Sequence, residues 1–140
     1  MAPFATSRPA DSPLTTGALA LIGLLTATPA LALVAPDQLA SYGVVDPDAV
    51  TTTLLQHRGA LQLVLGGALV WAAVRPDVRR PVVLAAVLAK GVFLGLTLAR
   101  PQVREDVSPV ALTFDAVSIA VLLLFLRRPG ILARDAGRAA

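Results

Sequence analysis

The chain reads as an all-α integral membrane four-helix bundle, and three observations lead there. Four stretches are apolar and long enough to cross a bilayer. Hydrophobic residues make up 56% of the 140 positions and charged residues only 15%, against about 45–50% and about 25% in average globular domains. The third observation is how little chain lies outside those stretches. A span needs about 20 apolar residues at about 1.5 Å rise each, so four spans with their connectors take up residues 14–126. Residues 1–13 remain as a cytoplasmic N-terminal segment and 127–140 as a basic cytoplasmic tail.

The first span is Leu14–Val34, with Pro29 in its second half expected to kink it by removing one backbone hydrogen bond. Ala30-Leu31-Ala32 resembles a signal-peptidase site, so a cleaved signal peptide is the alternative reading. The long apolar run and the weak charge of Arg8, offset by Asp11, favour a retained helix. The loop 35–56 is broken by Pro36 and Pro47. Its middle suits a short interfacial helix with Tyr42 at headgroup depth, and Asp46-Pro47-Asp48 suits a turn or helix start. Thr52 or Thr53 is placed to cap the second span, His57–Val74. Arg75-Pro76-Asp77-Val78-Arg79-Arg80-Pro81 then reads as a tight turn into the third span, Val82–Ala99. A short charged connector, 100–108, leads to the fourth, Pro109–Leu126.

Arginines set the expected orientation. Arg8, Arg75, Arg79, Arg80, Arg127, Arg128, Arg134 and Arg138 fall on the face shared by both termini. Arg58, Arg100 and Arg104 fall on the other, among Asp37, Asp46, Asp48, Glu105 and Asp106. The positive-inside rule puts both termini in the cytoplasm and makes the chain a multi-pass protein of the plasma membrane. The net charge of +3 therefore marks topology rather than nucleic acid. Small residues mark packing: Gly91 and Gly95 form a GxxxG in the third span and Gly66-Gly67 lies in the second, positions that allow close helix approach inside the bundle.

The functional lead is charge inside the spans. Lys90 and Asp115 each sit within an apolar run, where a charge costs about 2.5–3.5 kcal/mol even on the lenient insertion scale. At about 1.5 Å per residue, Lys90 lies roughly 15 Å below Arg100 and Asp115 roughly 10 Å below Ser108, close enough in depth to pair. Arg58 is the competing partner for Asp115. Arg58 and Gln62 share one face of the second span, as Asp115 and Ser118 share one face of the fourth. The candidate polar cluster, structural or ligand-binding, is thus Arg58, Gln62, Lys90, Asp115 and Ser118, opening outward. Asp115 and His57 are the candidate catalytic groups. Trp71 suits an aromatic belt. The chain has no cysteine, no Walker loop, no HExxH, no paired-His spacing and no nucleophile elbow, so no metal or cofactor is expected.

The order of an apolar helix, an Ala35-Pro36-x-x-Leu39 loop, Arg58-Gly59 opening a Gly-rich helix, an Arg-Pro turn and two further helices resembles the small four-helix bacterial membrane proteins of the DoxX-like group and its relatives of unknown function. The resemblance covers roughly 14–126 and implies an integral four-helix bundle in the plasma membrane. The group is associated with a quinone-oxidising terminal oxidase, yet no residues here carry a quinone site or bind copper or haem. Two function classes follow. One is an accessory or binding bundle whose partners are the bilayer, a lipophilic small molecule, a membrane protein or a second copy. The other is a small enzyme working by acid–base chemistry on a lipophilic substrate. A general acid calls for Asp115 apart from Lys90, and a structural pair calls for contact, so their separation discriminates the two.

Overall fold

A computed structural model describes residues 12–127. The elements in order are α1 (Pro13–Ala27), two 3₁₀ segments (Thr28–Leu33 and Pro36–Tyr42), α2 (Ala49–Val74), α3 (Pro76–Leu98), a short α4 (Pro101–Asp106) and α5 (Pro109–Leu126). There is no strand among the described residues. Four helical stretches are long and apolar enough to cross a membrane: Pro13–Leu33, Ala49–Val74, Pro76–Leu98 and Pro109–Leu126. Only 22–28% of each span's apolar window is buried within the protein. The outward faces carry Leu21, Leu24, Val64, Leu88, Val92, Val117 and Leu124, all exposed. An apolar surface of that extent is solvated by lipid, not water.

The chain runs up, down, up and down, with α1 against α2, α2 against α3, and α3 against α5. Leu19 and Ile22 of α1, Leu69 and Ala73 of α2, Val83 and Ala86 of α3, and Leu122 and Phe125 of α5 form one apolar core. These residues lie in the half of the bundle nearest the α2–α3 turn. The other half holds the polar residues and the cavity described below.

Several boundaries differ from the sequence reading, each for a local reason. Pro29 does not merely kink the first span. It cannot donate the backbone bond that would continue an α-helix, so α1 ends at Ala27 and a 3₁₀ segment carries the chain to Leu33. Helix α2 begins at Ala49, eight residues before His57, because Asp48 rather than a threonine is its N-cap: its carboxylate accepts from the Thr51 amide at 2.6 Å. That amide bond, rather than any ion pair, holds the Asp48 carboxyl below its ordinary value of 3.8. The expected seven-residue turn is one residue, Arg75, in extended conformation, and α3 starts at Pro76. Proline suits the first helical turn, where its missing N–H has no partner to lose. By the same rule Pro101 starts α4 inside the expected connector. The fourth span, Pro109–Leu126, is as expected.

Glycine packing is as expected at Gly66 and differs at the other three positions. Space around Gly91, Gly95 and Gly67 is open, so the α3 GxxxG is not a seam within the bundle. The close approach is between α1 and α2. A Cβ on Gly23 would lie 2.6 Å from the Gly66 carbonyl oxygen, and one on Gly59 would lie 2.7 Å from the Pro29 carbonyl oxygen. Gly43 ends the second 3₁₀ segment at φ +86°, and a Cβ there would strike the Asp106 carbonyl. That contact sets the 35–48 loop over α4.

Arg79 was expected to be a topology marker at the membrane surface; instead its side chain is buried. Its Nε donates to the Ala72 carbonyl and its guanidinium Nη2 to the Ala73 carbonyl, both at 3.1 Å. These are among the last four carbonyls of α2, which have no partner within the helix. The cation also sits at the negative end of the helix dipole. An arginine one turn into α3 thereby closes the end of α2.

Candidate functional site

The polar side chains of the spans meet at one level. Lys90 of α3 donates from Nζ to Asp115 Oδ1 of α5 at 2.5 Å, and both residues are buried, 2% and 6% exposed. The Lys90 ammonium also lies 4.6 Å from the centroid of the Phe114 ring. A cation over an aromatic face within about 6 Å is attracted by the ring quadrupole. The pair is thus sealed by its own neighbour in sequence. Ser118, one turn along α5 from Asp115, is buried beside it on the same face.

Arg58 does not reach Asp115. Its guanidinium lies 4.5 Å from the centroid of Phe93, one turn beyond Lys90 on α3, and it has no carboxylate partner among the described residues. Gln62 turns its amide oxygen inward, where the oxygen is buried without a hydrogen-bond partner, as is the Thr26 hydroxyl of α1. The five cluster residues therefore divide into a closed pair with Ser118, a Gln62 whose buried amide oxygen has no partner, and an aromatic-stacked Arg58. His57 is exposed on α2 and does not line the cavity described below. Trp71 is half-exposed near the end of α2.

A cavity of about 240 Å³ opens at the connector end of the bundle. Its apolar walls include Pro29, Leu39, Val44, Leu55, Val103 and Val107, drawn from both 3₁₀ segments, α2, α4 and the linkers that follow Tyr42 and Asp106, with Arg58, Phe93, Ser108 and Ala111 completing it. A larger groove of about 460 Å³ is lined by Pro109, Val110, Thr113, Phe114 and Val117. Those residues all come from α5, so it is a furrow on one helix rather than an enclosure. The smaller cavity is the built one.

Its position follows from helical spacing. Pro29, Arg58, Phe93 and Ala111 line it. Residues three or four away in the same spans, toward the membrane centre, are Thr26, Gln62, Lys90 and Asp115. One helical turn is about 5.4 Å, so the polar level forms the layer directly beneath the cavity. From the α2–α3 turn toward the connectors the bundle passes from the Arg79 cap to an apolar core, an ion-paired layer and then a cavity with one stacked cation.

Sequence reasoning placed Lys90 and Asp115 close enough in depth to pair, left Arg58 as the competing partner, and missed Phe93, Phe114 and Thr26. The signal for the aromatics was present: Phe114 adjoins Asp115, and Phe93 lies three positions from Lys90. Thr26 carried no signal, because threonine is common in apolar spans. Among the described residues no group of three or more His, Asp or Glu side chains could hold a metal. No family model, curated protein or solved structure matches the chain.

Proposed function

We propose that this multi-pass membrane protein is a non-enzymatic accessory bundle that holds a lipophilic molecule in the cavity at its connector end. The observation that carries the reading is the cavity itself, with apolar walls from both 3₁₀ segments, α2, α4 and the linkers, and one cation that no carboxylate among the described residues neutralises. Small-molecule sites are mostly apolar concavities with a few placed polar groups. The alternative, acid–base catalysis by Asp115 with His57 at the mouth, has less support. Asp115 is already bonded to Lys90, and His57 does not line the cavity.

We further propose that the cavity faces outward, with both termini cytoplasmic in a bacterial plasma membrane, and that the chain is a relative of the DoxX-like group. The arginine distribution and the four-helix layout support these readings. Accessibility labelling of a Gln102→Cys variant, clean in a chain without cysteine, tests the orientation. Labelling only from the cytoplasmic side overturns it. The binding role is tested by extraction with native lipids and mass spectrometry of what stays bound. A lipophilic species held near one per chain, and lost on Leu55→Trp, is the expected result. The same lipid profile for both proteins overturns the reading.

A further inference from the structure

We propose that the cavity takes a single-chain anionic amphiphile, its acid group held by Arg58 and the start of α5 and its chain lying along the apolar walls. The inference rests on the binding reading above and names the ligand class.

Two features make one side of the cavity positive, and a third adds a hydroxyl. Arg58 is the first. Its contact with Phe93 consumes none of its five N–H donors, which in a guanidinium form a fork matched to carboxylate and phosphate. The N-terminus of α5 is the second: Ser108 and Ala111 line the cavity, and an 18-residue helix begins there with the partial positive charge of its dipole. Pro109 carries no amide hydrogen and the amides of Ala111 and Leu112 bond the Ser108 carbonyl, so the helix start acts on the cavity through its dipole. Third, Ser108 makes no side-chain capping bond to its own helix, which leaves its hydroxyl available to a ligand oxygen. No acidic residue lines the cavity.

Volume and depth fix the rest. A water occupies about 30 Å³ in the liquid, so about 240 Å³ corresponds to eight such volumes. That is enough for an acid group with the first few carbons of one chain, and too little for a two-chain lipid. Arg58 lies sixteen residues from Val74, about 24 Å along α2, within a hydrocarbon core about 30 Å thick. The acid group would therefore sit just inside one interface, where an amphiphile from that leaflet carries its own.

The test uses the full chain in neutral nonionic detergent, with native mass spectrometry to count adducts and measure apparent affinity. The probes are dodecanoate, dodecyl phosphate, dodecanol and inorganic phosphate. The expected result is one adduct per chain for both acids, at least tenfold weaker binding of dodecanol, and no adduct with inorganic phosphate alone. Arg58→Met should weaken both acids at least tenfold without changing dodecanol, and Arg58→Lys should restore part of the loss. Ser108→Ala, remote from Arg58 in sequence, should weaken the acids by a smaller factor, and serves if the Arg58 variants do not fold. Leu55→Trp should remove all binding. Equal binding of dodecanol and dodecanoate, unchanged by Arg58→Met or Ser108→Ala, overturns the anionic class while leaving a lipophilic site in place. Binding of inorganic phosphate as tight as that of dodecyl phosphate overturns the role of the chain. No adduct with any probe, or adducts indifferent to Leu55→Trp, overturns the cavity reading itself.

Discussion

The buried pair supplies the sharpest quantitative test. Removing the Asp115 carboxylate leaves the Lys90 ammonium, 2% exposed, with only the Phe114 ring for company, and removing the ammonium strands the carboxylate. Breaking a buried pair on one side typically costs about 3–5 kcal/mol, whereas replacing both partners by apolar groups is often near neutral. We expect Asp115→Ala and Lys90→Met each to destabilise by about 3 kcal/mol, more than a hundredfold in the unfolding equilibrium. The double variant should lose only about 1 kcal/mol, chiefly for the small space left by the alanine. The double variant then falls about 5 kcal/mol short of the sum of the singles, far beyond the few tenths seen between independent sites. The assay is reversible unfolding in mixed micelles on addition of a denaturing detergent, followed by circular dichroism. Arg58→Met combined with Asp115→Ala is the control and should be additive, since Arg58 contacts Phe93 instead. Additivity of Lys90→Met with Asp115→Ala within about 0.5 kcal/mol would refute the reasoning. So would free reaction of Asp115 in the folded protein with a bilayer-soluble carbodiimide.

Other expectations concern the frame around the site. Gly66→Ala should be strongly destabilising in the same assay, because the new Cβ would meet the Gly23 carbonyl and the Ala27 backbone. Gly91→Ala and Gly95→Ala, with nothing near them, should be neutral or stabilising by up to about 1 kcal/mol from helix propensity. Arg79→Met should cost about 1.5–3 kcal/mol, the value of a hydrogen bond to a charged group, and Arg79→Lys should recover only part, since an ammonium lacks the planar fork that reaches two carbonyls. The Asp48 cap should make the first turn of α2 acid-sensitive. Its folded pKa is lowered below 3.8, so its contribution is full above that value and fades as pH falls through the folded one. Faster amide exchange at Thr51 in acid, absent in Asp48→Asn, checks it.

What the sequence made legible was set by energy scale. Four spans and the depth match of Lys90 with Asp115 follow from costs of several kcal/mol in hydrocarbon, which no local detail reverses. The helix starts were less legible because they depend on single contacts. Asp46-Pro47-Asp48 was read as a turn or helix start, but the cap was sought at Thr52 or Thr53 and proved to be Asp48, and Pro76 was read as a turn residue although proline is welcome at the head of a helix. Arg79 was misread because an arginine in a charged stretch looks solvent-bound until the partner helix's open carbonyls are placed beside it. The GxxxG of α3 was misleading in a different way. Small residues permit close approach without requiring it, and Gly23 of α1, in no motif, was the residue that met Gly66. The cavity was invisible, since its walls come from segments distant in sequence and joined by a loop whose course hangs on one left-handed glycine.

The single-residue link at Arg75 bears on how the protein is made. With Ala49–Val74 and Pro76–Leu98 separated by one extended residue, neither span can enter a bilayer far ahead of the other. Their joining point has no slack with which to wait at the surface. We expect the two to partition into lipid together as a helical hairpin, with Arg79 within reach of its partner's carbonyls. An insertion of a few flexible residues after Arg75 would uncouple that step, whereas the same insertion in the looser 99–108 connector would leave it intact.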